Sequence, residues 1–159
     1  MAMTKKQLID NLNADLMNEY RHMHFYLHAS FMVQGLHRAE IGEFLRESAE
    51  GEFKHIQEFA KVIVGLGGKP FSMLSDAYTL ALEKSQPWHN STGLTSPMEI
   101  LEFALNMEEE VVRNYVGRMK EAREMDDTDG AFVEIFLEDQ ILDSRQDADE
   151  LREMVKNCS

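Results

Sequence analysis

Three stretches of this chain each carry a glutamate at the centre of an otherwise apolar helical stripe, and that pattern limits what the chain can fold into. In the first, Leu8, Leu12, Leu16, Glu19, Met23, Tyr26, Ser30 and Val33 recur at steps of three and four, the period of one helix face. In the second, Ile41, Leu45, Ser48, Glu52, His55, Phe59 and Ile63 do the same, and in the third Leu101, Leu105, Glu108, Val112, Tyr115, Met119 and Ala122. An uncompensated carboxylate aimed into an apolar interior costs several kcal/mol. Three of them at mid-helix therefore call for something that neutralises all three. The second stretch adds an imidazole, because Glu52 and His55 lie one turn apart on the same face. A metal ion shared between neighbouring helices meets the need of every one of these groups.

A fourth stretch, from about residue 131 to 156, has the stripe Val133, Leu137, Ile141, Ser144, Ala148, Leu151 and Val155. Gln140 falls on its flank, about 60° from the centre, with Asp147 and, farther out, Asp143. Asp139 points away. Next to Glu108, the acids Glu109 and Glu110 rotate about 100° and 200° off the third stripe. His22 repeats the Glu-x-x-His step after Glu19 but lies about 60° off the first stripe centre; whether it is a ligand stays open.

The helix ends are marked. Thr4-Lys5-Lys6-Gln7 reads as a capping box, and Gly35 offers a stop. The second helix runs from about residue 38 to 66 and ends at Gly65, Gly67, Gly68 and Pro70. Gly51 inside it costs roughly 1 kcal/mol relative to Ala, which raises the question of what approaches the backbone there. Ser96 as N-cap, Pro97 at the first helical position and Glu99 open the third helix. Residues 126–130 make the turn into the fourth. The connection 70–96 is too long for a bare loop. It holds a short helical pattern of its own, Leu74, Ala77, Tyr78 and Ala81, stopped at Gln86-Pro87, and Trp88 reads as an anchor onto the bundle or a neighbouring subunit. The expectation is an all-α, single-domain chain over residues 1–159. Its four helices form a bundle, with a long crossover carrying a short extra helix between the second and third.

A net charge of −13 argues against nucleic acid as a partner, which needs basic surface, and favours cations. The 11 methionines read as core filler. The single cysteine, Cys158, excludes an intrachain disulfide and a cysteine-rich zinc site and fits a reducing compartment. No apolar run reaches membrane-spanning length and the N-terminus shows no signal-peptide core. A soluble, cytoplasmic protein without a membrane partner is expected.

With these residues the chain resembles the ferritin-like superfamily, closest in its motifs to the ferritins and bacterioferritins, over all four helices. The resemblance implies a di-iron centre built from Glu19, with Tyr26 seven residues on, Glu52 and His55, Glu108, and Gln140 with Asp143. Glu52 is implied to bridge the irons. Glu19 and His55 would complete one position, Glu108 and the fourth-helix group the other. The implied activity is that of a ferroxidase: Fe(II) is oxidised by dioxygen or hydrogen peroxide and stored as Fe(III) in a protein shell. Gln140-x-x-Asp143 is similar to the Gln-x-x-Glu of some prokaryotic ferritins rather than the Glu-x-x-His of bacterioferritin, which makes the second position the weaker. Bacterioferritin has its haem-ligating Met directly after the bridging Glu; here Phe53 stands there, so no haem is expected by that route. Only 16 residues follow Asp143, too few for the fifth helix of ferritins, and an extra helix in the crossover is a Dps feature. The homo-oligomer implied is therefore a dodecamer in preference to a 24-mer. Two other functions fit the same residues: a di-iron oxygenase or rubrerythrin-like peroxidase, and a scaffold with a vestigial metal site.

Overall fold

The computed structural model describes residues 2–72 and 91–158. Among them are four long helices: α1 (Lys5–Met32), α2 (Arg38–Gly65), α3 (Pro97–Arg123) and α4 (Thr128–Cys158). The short helix expected around Leu74 to Ala81, and Trp88, lie outside the described residues.

Local chemistry sets the starts of α1 and α3 where the side chains foretold them. By contrast, α4 opens at Thr128, inside the stretch expected as turn, because Asp127 Oδ1 accepts from the Gly130 N–H at 2.8 Å and caps it. Thr4 accepts from the Gln7 backbone N–H at 3.2 Å while its own N–H donates to Gln7 Oε1 at 2.9 Å, the reciprocal pair of a capping box. Ser96 accepts from the Glu99 N–H, with Pro97 in the first turn. Gly67, at φ +84°, takes the left-handed conformation that closes α2, as glycine does without strain. Buried Asn13 then fastens the departing chain, donating to the Lys69 carbonyl at 3.0 Å and accepting from the Phe71 N–H at 2.8 Å. Gly51 has open space around it, so no close approach accounts for it.

α1 packs along α2 and α3 along α4, two antiparallel hairpins. Across the seam between them, Tyr26 meets Glu108 and Asp15 meets Arg118, so α3 runs antiparallel to α1. Gln140 meets Glu58, and Phe59 meets Phe136, so α4 runs antiparallel to α2. It follows that α2 and α3 point the same way, and the chain between them must traverse the bundle's length. That is the one-crossover connectivity of ferritin-like bundles.

The apolar interior has two parts. One, around Leu8, Leu12, Phe59, Ile63, Tyr115 and Leu137, fills the end where α1 begins. The other, around Phe25, Leu45, Ile100, Leu101 and Leu151, fills the opposite end. Between them lies a polar layer: Glu19, His22, Glu52, His55, Glu108 and Gln140 are all buried. Among the described residues no helix is long and apolar enough to cross a membrane.

Candidate metal centre

Each helix delivers its polar group to this layer from mid-length. Glu19 and Glu108 are 1 % exposed, Glu52 3 % and His55 5 %. His55 Nδ1 lies 3.2 Å from Glu52 Oε2 and 3.4 Å from Glu19 Oε2, so one imidazole faces two carboxylates. On its other side, His55 Nε2 is 3.5 Å from Asp143 Oδ2. The Tyr26 hydroxyl donates to Glu108 Oε1 at 2.7 Å. Tyr115, seven residues after Glu108 as Tyr26 is after Glu19, is equally buried; its hydroxyl has no hydrogen-bond partner among the described residues.

The electrostatics are those of charge forced together. Burial pushes the Glu52 carboxyl up to about 8, and the adjacent Glu19 charge adds to the effect. Glu108 is raised by burial and then by Glu52. Burial likewise lifts the Tyr26 phenol, reinforced by Glu108. His55 goes against its burial: Glu19 and Glu52 outweigh the desolvation and hold it up at about 11. His22 is lowered by burial and is the neutral imidazole of the pair. Without a metal, His55 is thus the cation that partly compensates the acids. A divalent ion would displace that proton and supply more charge.

The donor set fits such an ion. Both Glu19 oxygens and Gln140 Oε1 are buried without a hydrogen-bond partner among the described residues, a cost normally met by a partner. Ligand atoms of Glu19, His22 and Glu52 lie within 4.8 Å of one another. Carboxylate oxygen with imidazole nitrogen suits iron, manganese or zinc.

The fourth helix departs from the helical-wheel reading. Gln140, placed on the flank, is 1 % exposed, while Ile141, placed at the stripe centre, is only half-buried. The buried series Gly130, Val133, Leu137, Gln140, Ser144, Ala148 and Leu151 covers its length in steps that average 3.5 residues per turn, as supercoiled seams do. Gln140 turns its amide N–H to Glu58 Oε2 at 2.7 Å. Asp143 reaches the rim of the layer with its side chain half exposed. Two residues from the stripe flanks also reach the layer. His22 is 3 % exposed, and its repeat of the Glu-x-x-His step was the signal for it. Asp147 is raised to about 6 by burial, then by the Glu52 charge, and it acts on both Glu108 and Tyr26. Glu109 and Glu110 stay out of the layer, as their rotation implied: Glu109 pairs with Arg152 at 3.0 Å and Glu110 is exposed.

A family model described as a ferritin-like domain matches residues 9–159. No curated protein matches the sequence. Among solved structures the chain is similar to a ferritin-like, diiron-carboxylate protein from Bacillus anthracis str. Ames, at 26 % identity and TM-score 0.73, covering 98 % of this chain and 99 % of that one. It is also similar to a Dps protein from Bacillus brevis, at 19 % identity and TM-score 0.82, covering 95 % and 96 %. A third is a dodecameric thioferritin, a bacterioferritin-related protein from Bacteroides fragilis, at 18 % identity and TM-score 0.76, covering 98 % and 88 %.

Proposed function

The chain belongs to the ferritin-like family, and from that premise we propose that it is a ferroxidase, an iron-storing or iron-detoxifying protein that takes Fe(II) as substrate. The observation that carries this is the polar layer itself: Glu19, Glu52, Glu108 and His55, from three helices, buried together between two apolar cores. Two Fe(II) give up one electron each, and dioxygen leaves as hydrogen peroxide after taking two electrons and two protons. With peroxide as oxidant, the same two electrons and two protons yield two waters. Glu52, in the middle of the layer, is the residue for the bridging place. Glu19 and His55 serve one metal position, and Glu108 with Gln140 and Asp143 the other. Tyr26 holds Glu108 in place by its hydrogen bond. Anionic oxygen ligands favour the Fe(III) product over Fe(II), since they stabilise the higher charge.

The test is direct. Metal-free protein mixed anaerobically with Fe(II) and then given oxygen or peroxide should oxidise iron faster than buffer does, and Glu52→Ala should remove the acceleration. Iron oxidised no faster than in buffer refutes the reading. Retained mineral after loading separates storage from an oxygenase or peroxidase. The proposed assembly is a dodecamer, a state carried by the thioferritin named above. Light scattering that gives a monomer, dimer or 24-mer overturns it.

One observation favours a second reading. Gln140 already commits its amide N–H to Glu58, and Asp143 is half exposed. A scaffold that keeps one metal without turnover would show one metal or none per chain on analysis.

A further inference from the structure

The Gln140 side chain ends in two groups of nearly equal size and opposite chemistry. Oε1 accepts and can bind a cation, whereas Nε2 donates and repels one. A half-turn about the last side-chain bond exchanges the two with almost no change of shape. Which end looks into the layer must therefore be decided by a neighbour. Gln140 is 1 % exposed, so bulk water does not decide it.

The decision comes from α2. Glu58 follows His55 by three residues, as His55 follows Glu52, and each such step falls about 60° short of a full turn. Glu58 has thus left the stripe that faces the layer, and its Oε2 accepts the Gln140 Nε2–H at 2.7 Å. Its Oε1 pairs with Lys54 Nζ at 3.7 Å. An ionised carboxylate has acceptors only, so it can hold the nitrogen end of the amide and not the oxygen end. Gln140 Oε1 is left on the far side, buried and without a hydrogen-bond partner among the described residues. With the amide turned round, two acceptors would face each other with no proton between them.

The contact borders a cavity of about 270 Å³ lined in part by Lys54, Glu58, Asp139, Gln140 and Asp143. If the carboxylate were absent, water in that cavity could serve either end of the amide. The bond to Glu58, not the shape of the site, fixes the orientation.

We propose that Glu58 is a positioning residue for the second metal position: by holding Gln140 Nε2 it turns Oε1 inward and makes the amide an oxygen ligand for Fe(II). This rests on the ferroxidase reading of the layer. Glu58 itself touches no metal and acts through Gln140 alone. The bond that commits the amide nitrogen is the reason the oxygen is available.

The experiment is anaerobic equilibrium dialysis of metal-free, full-length protein against Fe(II), read as the affinity of the second equivalent. Loss of a supporting partner costs about 10- to 100-fold in metal affinity. Glu58→Met should therefore weaken the second equivalent by about 10-fold or more and leave the first unchanged. The control is the same substitution with Gln140→Glu in place. A carboxylate offers oxygen at both ends, so in that background the loss of Glu58 should cost nothing. A role through charge or through the fold would weaken binding in both backgrounds alike. Melting of each metal-free variant checks its fold. Should Glu58→Met fail to fold, Glu58→Lys takes its place, since it donates where Glu58 accepts and turns the amide round. A second equivalent unchanged in the Glu58 variants, or weakened equally in both backgrounds, overturns the proposal. If wild type holds two equivalents and oxidises iron while the Glu58 variants match it, only this proposal falls. If wild type holds one equivalent or none, the ferroxidase reading falls and takes this proposal with it.

Discussion

Asp15 offers a measurable consequence of burying charge along the α1–α3 seam. Its side chain is 3 % exposed and receives Arg118 Nε at 2.8 Å and a second guanidinium N–H at 3.2 Å. Despite this fork, burial outweighs the ion pair and lifts the carboxyl from 3.8 to about 6. A carboxyl raised in the folded state binds protons more tightly there than in the unfolded chain. Stability is then fully present below 3.8 and is lost as pH rises through about 6. At about 1.4 kcal/mol per unit the whole loss is about 3 kcal/mol, of which about 2 kcal/mol falls between pH 4.5 and 7.5. Asp15→Asn removes the titration and keeps one acceptor for Arg118. Urea unfolding of metal-free wild type and variant across that range should show the variant gaining about 2 kcal/mol on wild type as pH rises. Titrating groups that do not interact with Asp15 cancel in the difference. A flat difference, or wild type gaining on the variant, would falsify the idea that burial beats the ion pair at this site.

Other outcomes follow from single contacts. Tyr26→Phe strips buried Glu108 of its 2.7 Å donor and should lower metal-free stability by about 1–3 kcal/mol. Tyr115→Phe removes a hydroxyl with no partner among the described residues and should leave stability unchanged or raise it in the same denaturation assay. Gly51→Ala, in open space inside α2, should stabilise by about 0.5–1 kcal/mol, seen as a higher melting temperature. Gly130→Ala should do the reverse. Its Cβ would collide with the Ala122 carbonyl oxygen and press on Met125, and a variant as stable as wild type would show that the α3–α4 turn gives way easily.

What could be read from the residues, and what could not, divides along physical lines. Capping is local chemistry, so Thr4 and Ser96 marked their helix starts without tertiary information. The three glutamates were legible because a carboxylate at the centre of an apolar stripe has few explanations. Gln140 was misplaced because a wheel at 100° per residue favours the more apolar neighbour, Ile141. In the bundle, the seam of α4 drifts toward a 3.5 repeat and turns Gln140 inward. His22 and Asp147 lie on stripe flanks, where a wheel leaves their part in the site open, for a related reason. A site between four helices draws on the flanks of each stripe as well as its centre, and which flank faces it depends on how the helices cross. Glu58 was not singled out at all, since its partner Gln140 lies 82 residues away.

The tyrosine tie also fixes alignment. Tyr26 reaches Glu108, yet it stands two turns along α1 from Glu19, so the bond measures the axial offset of one hairpin against the other. A slip by a single turn is about 5.4 Å, more than any hydrogen bond can span. It would separate Tyr26 from Glu108, Asp15 from Arg118, and Gln140 from Glu58 in one movement. The seam therefore works as a vernier: the hairpins either dock in the one registry where all three marks coincide, or they hold none of them.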